Sequence, residues 1–530
     1  MLALFSMFIF LGFFVFWCLD LLGLLGSFFL IGYPWNGFIF EFLLDSISLI
    51  SLYMLFCCGV VALFYCFHYF GITLEGFSLF LLMCFFLSVM AFLVVSSSFL
   101  FSLVMWEYLG LVSFFLILFY SNSVSLRASL ITLFASRWGD ISFFGLIMWY
   151  FFYWDFSLIL VSVLLFFVVL TKSACYPFIS WLIEAMRAPT PVSSLVHSST
   201  LVAAGVWFLL RYCDYCGDIF FNYLLVISLI TILISGACAI YFNDLKKIVA
   251  LSTCNNVSWC IVFFLCGDVW LCLLQLLSHG VCKCYLFMSV GDVMSGSMGS
   301  QSSNFVYLSR YGSFLGVILQ FILVFSLCGI PFLGVFFGKH GLLSDIFYCY
   351  GYGFISIFLL CFLVSYIYSF RLFLLLVGDC VGMQSGNVSN FYSISLIVMI
   401  GTFLNYVGSF LFIETNSLSL LESLLVLFTQ LFGCFVGYYF WLISFSSLFS
   451  SWSSSLFGGD FLVNSIYYNF LNISSSFIFC LYRWEVSLFN FFYFGLNSIF
   501  SFLRLGSFIF SVNFMVFFVL FLLGLGFVIG

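Results

Sequence analysis

Three polar side chains lie at intervals of four in an otherwise apolar stretch of the sequence. Gln275, His279 and Lys283 follow this spacing in WLCLLQLLSHGVCKCYLFMSV. The i, i+4, i+8 pattern places all three on one face of a helix. Histidine is suited to relaying protons because its unperturbed pKa is about 6.5. The pattern predicts an inward polar stripe that carries water and protons; a histidine satisfied by a neighbouring hydroxyl is the plainer alternative.

Two further lysines lie near prolines that would interrupt a helix. Lys172 follows an apolar run and precedes Pro177, and Lys339 lies eight residues after Pro331 in GIPFLGVFFGKHG. A proline ring breaks the helical hydrogen-bond ladder. A broken helix at membrane depth is tolerated only where it is buried in protein or lines a wet cavity. Lys172 and Lys339 are therefore predicted to lie where water and protons can reach them.

Glu107 is the clearest acid in an apolar setting, with apolar residues for several turns on both sides. If it approached Lys172 to about 4 Å, their interaction would be about 4 kcal/mol at an effective dielectric of about 20. Moving the acid away could then release a proton from the lysine. The alternative is a charge tucked at a helix end.

Three more ionisable residues follow prolines or stand side by side. His197 shares a helix face with Ser193 just after two prolines. Lys246 and Lys247 are adjacent and point to different sides of a helix, so at most one of them is expected to line a path. A helix-cap or positive-inside role is the interpretation for the other.

These few charges must be positioned by elements that are almost entirely apolar. Of 530 residues, 65% are hydrophobic and 6% are charged, against roughly a quarter charged in a soluble domain. Runs of about 20 apolar residues, the length that spans a bilayer, recur almost from end to end and predict roughly 14 to 16 transmembrane helices. The fold class is an all-α polytopic membrane protein. Residues 1–18 are interpreted as the first span and residues 514–530 as the last.

The region after residue 450 has a different pattern, with polar residues at a strict spacing of seven. This spacing predicts an amphipathic helix. Its length of about 60 Å is too great to cross the hydrocarbon layer upright, so it should lie laterally along the bundle. Two ordinary spans are the alternative. The predicted domains are 1–450, a transmembrane bundle, and 451–530, the lateral helix and a final anchor. The heptad residues are Asn469, Ser476, Arg483, Asn490, Asn497 and Arg504.

Several classes of protein are disfavoured by the composition. A net charge of −6 without any basic run argues against nucleic acid as a partner. Most of the 21 cysteines stand singly in apolar runs and behave as small hydrophobes, so no metal site is predicted. There is no GxGxxG after a strand and no ligand set for an iron–sulfur cluster. The 82 phenylalanines and 5 prolines suggest U-rich codons, which gives the hypothesis of an organellar gene.

Several strings of the sequence, which cover about half of the chain in order, match the pattern of a known family. They are WEYLGLVSF (106–114), RWGDISF (137–143), TKSACYPFISWLIEAMRAPTPVSSLVHSSTLVAAG (171–205), NDLKKIVALST (243–253), SHGVCKCYLFMS (278–289), GIPFLGVFFGKHG (329–341) and YSFRLF (368–373). These strings resemble the antiporter-like subunits of respiratory complex I, and the PTPVSSLVHSST block is the most specific part of the resemblance. The resemblance implies an antiporter-like bundle with interrupted helices.

The resemblance also implies roles for single residues. Asp140 would be a coupling acid near the neighbouring subunit. Lys339 and the long tail resemble the distal proton-pumping member of the family, since the paralogous subunit 4 typically has a glutamate in place of that lysine. Gln275 stands where the family usually has a histidine, and His340 stands where an acid usually follows the lysine. The implied proton-path residues are Glu107, Lys172, His197, Lys246, His279, Lys283 and Lys339.

As a member of this family, the chain is expected in the mitochondrial inner membrane. Its expected partners are membrane lipids and the other membrane subunits of complex I, especially the adjacent antiporter-like subunit 4. No cofactor is expected on this chain; FMN, iron–sulfur clusters and ubiquinone would be held elsewhere in the complex. Two other functions stay open: a subunit of a multisubunit Na⁺/H⁺ antiporter, and a structural membrane scaffold.

Overall fold

The structure, a computed structural model, describes most of the chain from residue 28 to residue 502. The interpreted first and last spans, 1–18 and 514–530, lie outside the described residues, and so does Arg504. The described residues are 28–35, 38–71, 73–152, 158–213, 218–266, 269–297, 299–303, 314–330, 335–349, 352–377, 420–442 and 455–502.

Helices make up nearly all of this part of the chain, because a continuous apolar run can satisfy its backbone groups in a membrane only within its own segment. The helices are α1 (Ser46–Phe70), α2 (Leu74–Val95), α3 (Phe99–Ile117), α4 (Ser123–Phe152), α5 (Leu158–Lys172), α6 (Ile179–Ala185), α7 (Thr190–Tyr212), α8 (Asp218–Tyr241), α9 (Leu245–Leu265), α10 (Val269–Gly296), α11 (Phe314–Cys328), α12 (Phe336–Cys349), α13 (Tyr352–Val377), α14 (Leu420–Leu442) and α15 (Gly459–Phe502). Within α7, Ser193–Thr200 is π-helical.

Ten of these helices are long and apolar enough to cross a membrane, judged by length and composition. They are α1 to α4, α7 to α10, α13 and α14. The predicted helical, multi-pass architecture is confirmed to this extent. The finer estimate of roughly 14 to 16 spans stays a prediction.

A two-stranded antiparallel hairpin precedes the helices and was not predicted. β1 (Phe28–Trp35) pairs with β2 (Phe38–Leu44), with Phe28 opposite Leu44 and Trp35 opposite Phe38. Strands of eight and seven residues are shorter than the about 9–11 residues that a spanning strand needs. Among the described residues the only further pairing at an edge of the hairpin is the bridge of Phe42 with Ser96, and lipid does not tolerate unpaired strand edges. The hairpin therefore leads into α1 without crossing the membrane.

The predicted helix interruption after Lys172 is present, and side chains satisfy the carbonyl groups that it frees. α5 ends at Lys172 and the chain becomes helical again at Ile179. The Trp181 indole N–H donates to the Thr171 carbonyl at 3.0 Å. The Cys254 thiol donates to the Ala174 carbonyl at 3.1 Å. Two of the carbonyl groups at this interruption are thus paired inside the bundle.

The helix α15 is continuous over 44 residues, about 66 Å at a rise of about 1.5 Å per residue. The alternative of two spans with a break between them is not observed within it. The heptad positions from Asn469 to Asn497 lie in this one helix. By its contacts the chain divides into two units, 1–463 and 464–530. The predicted domain boundary at 450/451 stays a prediction.

Close packing of α4 on α5 depends on Gly139, because a Cβ there would collide with the Thr171 hydroxyl and lie 3.2 Å from the Thr171 Cβ. We expect Gly139→Ala to lower the free energy of unfolding by about 1–3 kcal/mol, the usual cost of overpacking. The measurement is thermal stability of the purified protein in detergent. Gly353→Ala is the matched helical control, since nothing lies within 4 Å of the added Cβ. Equal melting temperatures for the two variants would contradict the prediction.

Candidate functional site

Lys172 is buried at the C-terminal end of α5, with its side chain only 2% exposed. Its ammonium lies over the ring of Trp106, 5.0 Å from the centroid. The end of a helix carries a partial negative charge, which favours a cation at this position. Among the described residues Lys172 makes no ion pair. Its contacts are thus a ring face and a helix end.

The partner of Glu107 is Arg137, and no ion pair between Glu107 and Lys172 is found among the described residues. An Arg137 nitrogen lies 2.5 Å from a Glu107 carboxylate oxygen and 3.3 Å from an oxygen of Asp140. The guanidinium therefore bridges an acid on α3 and an acid on its own helix, α4. Lys172 is close to this part of α3, since a Cβ built on Gly110, three residues after Glu107, would lie 3.9 Å from the Lys172 ammonium. The three groups form a charged cluster at one side of the buried lysine.

Lys246 and Lys247 have different surroundings, as expected for neighbours on different faces of a helix. Lys246 is buried, and its ammonium donates to the Ala188 carbonyl at 3.2 Å, beside the start of α7. Lys247 is half-buried in the first turn of α9. It forms an ion pair at 2.8 Å with Asp244, the residue directly before the helix. Lys247 therefore stabilises the start of the helix, whereas Lys246 faces the interior.

The predicted polar stripe lies on α10, and all three of its members are buried. The Lys283 ammonium donates to the Ser252 hydroxyl on α9. Both polar atoms of the Gln275 amide and Nε2 of His279 are buried and have no hydrogen-bond partner among the described residues. Buried polar groups of this kind normally bond to ordered water. The stripe is therefore a line of buried polar groups that ends at an ammonium group.

Lys339 repeats the relation between a lysine and an interrupted helix. α11 ends at Cys328, and the Lys339 ammonium from α12 donates to the Cys328 carbonyl at 2.8 Å. The ammonium also lies 5.8 Å and 5.6 Å from the ring centroids of Trp259 and Phe362. Gly329 is needed at the turn because its φ is +86° and the lysine Cδ would be 3.2 Å from an added Cβ.

A pocket adjoins this second lysine site. Its polar lining comes from α12, α13 and α14, and Tyr366 donates from there to the Gly329 carbonyl at 2.9 Å. The Gln430 amide donates in turn to the Tyr366 hydroxyl at 3.1 Å. His340, the departure from the family pattern, also lines the pocket. Polar groups therefore continue from Lys339 toward α14.

The helix α9 connects the two interrupted helices. The Ser252 hydroxyl on α9 accepts a hydrogen bond from Lys283. Two residues later, the Cys254 thiol donates to the Ala174 carbonyl near Lys172. The Lys339 ammonium lies over the ring of Trp259, which is also on α9, 5.8 Å from the centroid. One run of buried polar groups therefore extends from α5 through α9 and α10 to α12.

Sequence reasoning located most members of this run and missed others. Arg137 and Ser252 were missed, although Arg137 stands three residues before Asp140, a spacing at which helix neighbours meet. A cluster of Tyr65, His68 and Asp292 was also missed. The side chain of His197 lies outside the described part of the chain.

Similarity to solved structures defines the class of protein first. The Mrp complex from Dietzia sp. DQ12-45-1b matches with a TM-score of 0.63 at 21% identity over 95% of this chain and 58% of that one. A membrane-bound sulfane sulfur reductase, an archaeal respiratory membrane complex, matches with a TM-score of 0.63 at 15% identity over 83% of this chain and 93% of that one. The chain is a multi-pass membrane protein with an antiporter-like fold.

Sequence similarity then gives the family. Residues 96–365 match the family described as "NADH:quinone oxidoreductase/Mrp antiporter, TM", and the chain belongs to it. The NADH-ubiquinone oxidoreductase chain 5 of Aedes aegypti is 33% identical over 350 residues, which is 63% of this chain and 60% of that protein. The chain 5 of Caenorhabditis elegans is 34% identical over 396 residues, 72% of this chain and 74% of that protein.

Proposed function

We propose that the chain is a proton-translocating membrane subunit of respiratory complex I, the counterpart of its chain 5 and its distal pump. NADH oxidation and ubiquinone reduction would take place on other subunits, which hold FMN and iron–sulfur clusters. Its place would be the mitochondrial inner membrane, beside subunit 4. The proton path would use Glu107, Lys172, His197, Lys246, His279, Lys283 and Lys339, with Asp140 as the coupling acid.

The observation that carries this proposal is the set of partners of the buried lysines. The four buried lysines contact a ring face, two backbone carbonyls and a hydroxyl. Of the five lysines, only the half-buried Lys247 makes an ion pair among the described residues. A buried ammonium costs at least about 2.5–3.5 kcal/mol in a membrane, so it should have a use. Because neutral acceptors do not hold a lysine in its charged form as a carboxylate would, these lysines are suited to gaining and losing protons. The four are Lys172, Lys246, Lys283 and Lys339.

An antiporter subunit is the second candidate, and the fold match to the Mrp complex supports it. Gentle solubilisation and affinity purification of the native chain distinguishes the two. Recovery with flavin and iron–sulfur subunits and with NADH:quinone activity is expected. Recovery in a small membrane complex that exchanges Na⁺ for protons and lacks those subunits would instead assign the antiporter function.

A variant of Lys172 tests whether the chain pumps or only supports the assembly. Lys172→Ala removes the ammonium beside the Glu107–Arg137–Asp140 cluster, and we expect proton transport per NADH oxidised to fall by about tenfold or more, equivalent to about 1.4 kcal/mol. The measurement is dye quenching by the assembled complex in proteoliposomes. Lys247→Ala is the matched control because that lysine is half-exposed and paired with Asp244. An assembled Lys172→Ala complex that pumps normally would indicate a scaffold.

A further inference from the structure

A cluster of titratable side chains joins α1 and α10 outside the lysine path. The Tyr65 hydroxyl lies 3.0 Å from a carboxylate oxygen of Asp292, and His68 Nε2 lies 3.5 Å from the same oxygen. The Tyr65 hydroxyl also lies 3.1 Å from the Met288 carbonyl. A carboxylate, an imidazole and a phenol thus meet around one oxygen atom.

The cluster lies where the spans end. His68 is in the last turn of α1, and Asp292 is four residues before the end of α10. The His68 side chain is 25% exposed, whereas that of Asp292 is only 7% exposed. The imidazole therefore faces outward from the cluster and the carboxylate faces inward.

The inner side of the cluster approaches the attachment point of Lys246. A Cβ on Gly291 would collide with the Tyr65 hydroxyl and would lie 3.2 Å from the Thr190 hydroxyl, so both oxygens surround this glycine. The Thr190 hydroxyl is buried and has no hydrogen-bond partner among the described residues. Thr190 stands two residues after Ala188, whose carbonyl accepts a hydrogen bond from the Lys246 ammonium.

A series of polar groups therefore leads from the partly exposed His68 imidazole to the neighbourhood of the buried Lys246. Lys246 itself is the second residue of α9 and Thr190 the first of α7, so both belong to the same end of the spans as His68. Histidine and carboxylate groups in series are typical of proton relays within membranes.

We propose that His68, Asp292, Tyr65 and Thr190 form a branch through which protons pass between water at this end of the spans and Lys246. The imidazole takes a proton from water and passes it to the Asp292 carboxylate, which leaves the imidazole neutral. The carboxyl gives its proton to the Tyr65 oxygen as the Tyr65 hydroxyl gives its own to Thr190. Thr190 releases a proton to a water molecule beside Lys246, and each group returns to its starting form. This branch rests on the proposed proton-pumping function.

A chemical rescue experiment on His68 tests the branch. The assembled complex carrying His68→Ala is reconstituted in proteoliposomes, and proton transport per NADH oxidised is measured with and without added imidazole. We expect transport to fall by about tenfold. This is less than the about 10²–10⁴-fold effect of a fully buried acid–base group, because water can partly replace an exposed imidazole. Imidazole should restore transport, whereas pyrazole, a much weaker base of similar size, should not.

Variants of Asp292 supply an independent test of the same branch. Asp292→Asn should lose transport and Asp292→Glu, which keeps a carboxyl group, should recover most of it. Glu75→Gln is the matched control, since Glu75 is an exposed acid in the first turn of α2 at the same end of the spans. If Asp292→Asn prevents assembly, the rescue of His68→Ala still decides the matter.

Three results would overturn the branch or the proposed function. Normal transport in His68→Ala and Asp292→Asn, with loss of transport in Lys172→Ala, would overturn the branch and leave the proposed function intact. Loss of transport in His68→Ala that imidazole does not restore would assign His68 a structural role and would also overturn the branch. Normal transport in all three variants would overturn the proposed function itself.

Discussion

Replacing Lys283 by methionine is expected to stop proton translocation while NADH oxidation continues. Methionine has a similar length but no ammonium, so the polar stripe on α10 would lose the group at its end. Ser252, the acceptor of Lys283, still donates to the Val249 carbonyl at 2.7 Å, so no buried hydroxyl is left without a partner. We expect protons moved per NADH to fall by about tenfold or more, a rise of about 1.4 kcal/mol in the barrier.

The measurement is NADH-driven dye quenching in proteoliposomes, with NADH oxidation followed in the same sample. Ser252→Ala is the graded comparison because it removes a contact of Lys283 and keeps the ammonium, and its loss should be smaller. Lys247→Met is the matched lysine control at the half-exposed start of α9. An unchanged proton yield in Lys283→Met would remove Lys283 from the path.

Removing the Arg137 guanidinium is expected to destabilise the protein more than any other single change to the charged cluster. Arg137→Ala leaves the carboxylates of Glu107 and Asp140 side by side without their shared cation. One oxygen of each acid is already buried without a hydrogen-bond partner among the described residues. The Arg137 side chain is 41% exposed, so the loss should lie between about 1 kcal/mol for an exposed pair and about 3–5 kcal/mol for a broken buried pair.

The amount of assembled complex on native gels and its thermal stability measure this effect. The double variant Arg137→Ala with Glu107→Gln should recover part of the loss, because one of the two repelling charges has been removed. Arg187→Ala breaks an ion pair with Glu184 in which the arginine is 36% exposed, and it serves as the control. A loss of stability in the double variant equal to the sum of the losses in Arg137→Ala and Glu107→Gln would argue against a shared cluster.

Properties that depend on neighbouring residues in the chain could be predicted from the sequence. The spacing of Gln275, His279 and Lys283 placed them on one buried helix face because helical periodicity is local. The interruption near Pro177 followed from the missing backbone donor of proline. The different surroundings of Lys246 and Lys247 followed from their different directions on one helix.

Contacts between distant segments could not be predicted in the same way. Glu107 pairs with Arg137 because α3 packs against α4, and nothing in the local pattern distinguishes that partner from Lys172. Tyr65 and Asp292 are separated by 227 positions in the sequence. The hairpin β1–β2 was missed for another reason: its strands are almost wholly apolar, so the alternation that marks a strand is hidden, although Asn36–Gly37 is a hairpin-turn signal.

The bond between Lys283 and Ser252 has a consequence for how the chain is inserted into the membrane during synthesis. A lone lysine at the centre of a span costs about 2.5–3.5 kcal/mol to insert, and α10 carries Gln275 and His279 on the same face as Lys283. Ser252 lies on the preceding helix, and only residues 266–268 separate α9 from α10. The two helices can therefore leave the insertion machinery together as a hairpin, with the ammonium already bonded. Biogenesis of this pair then proceeds in units of two spans rather than one.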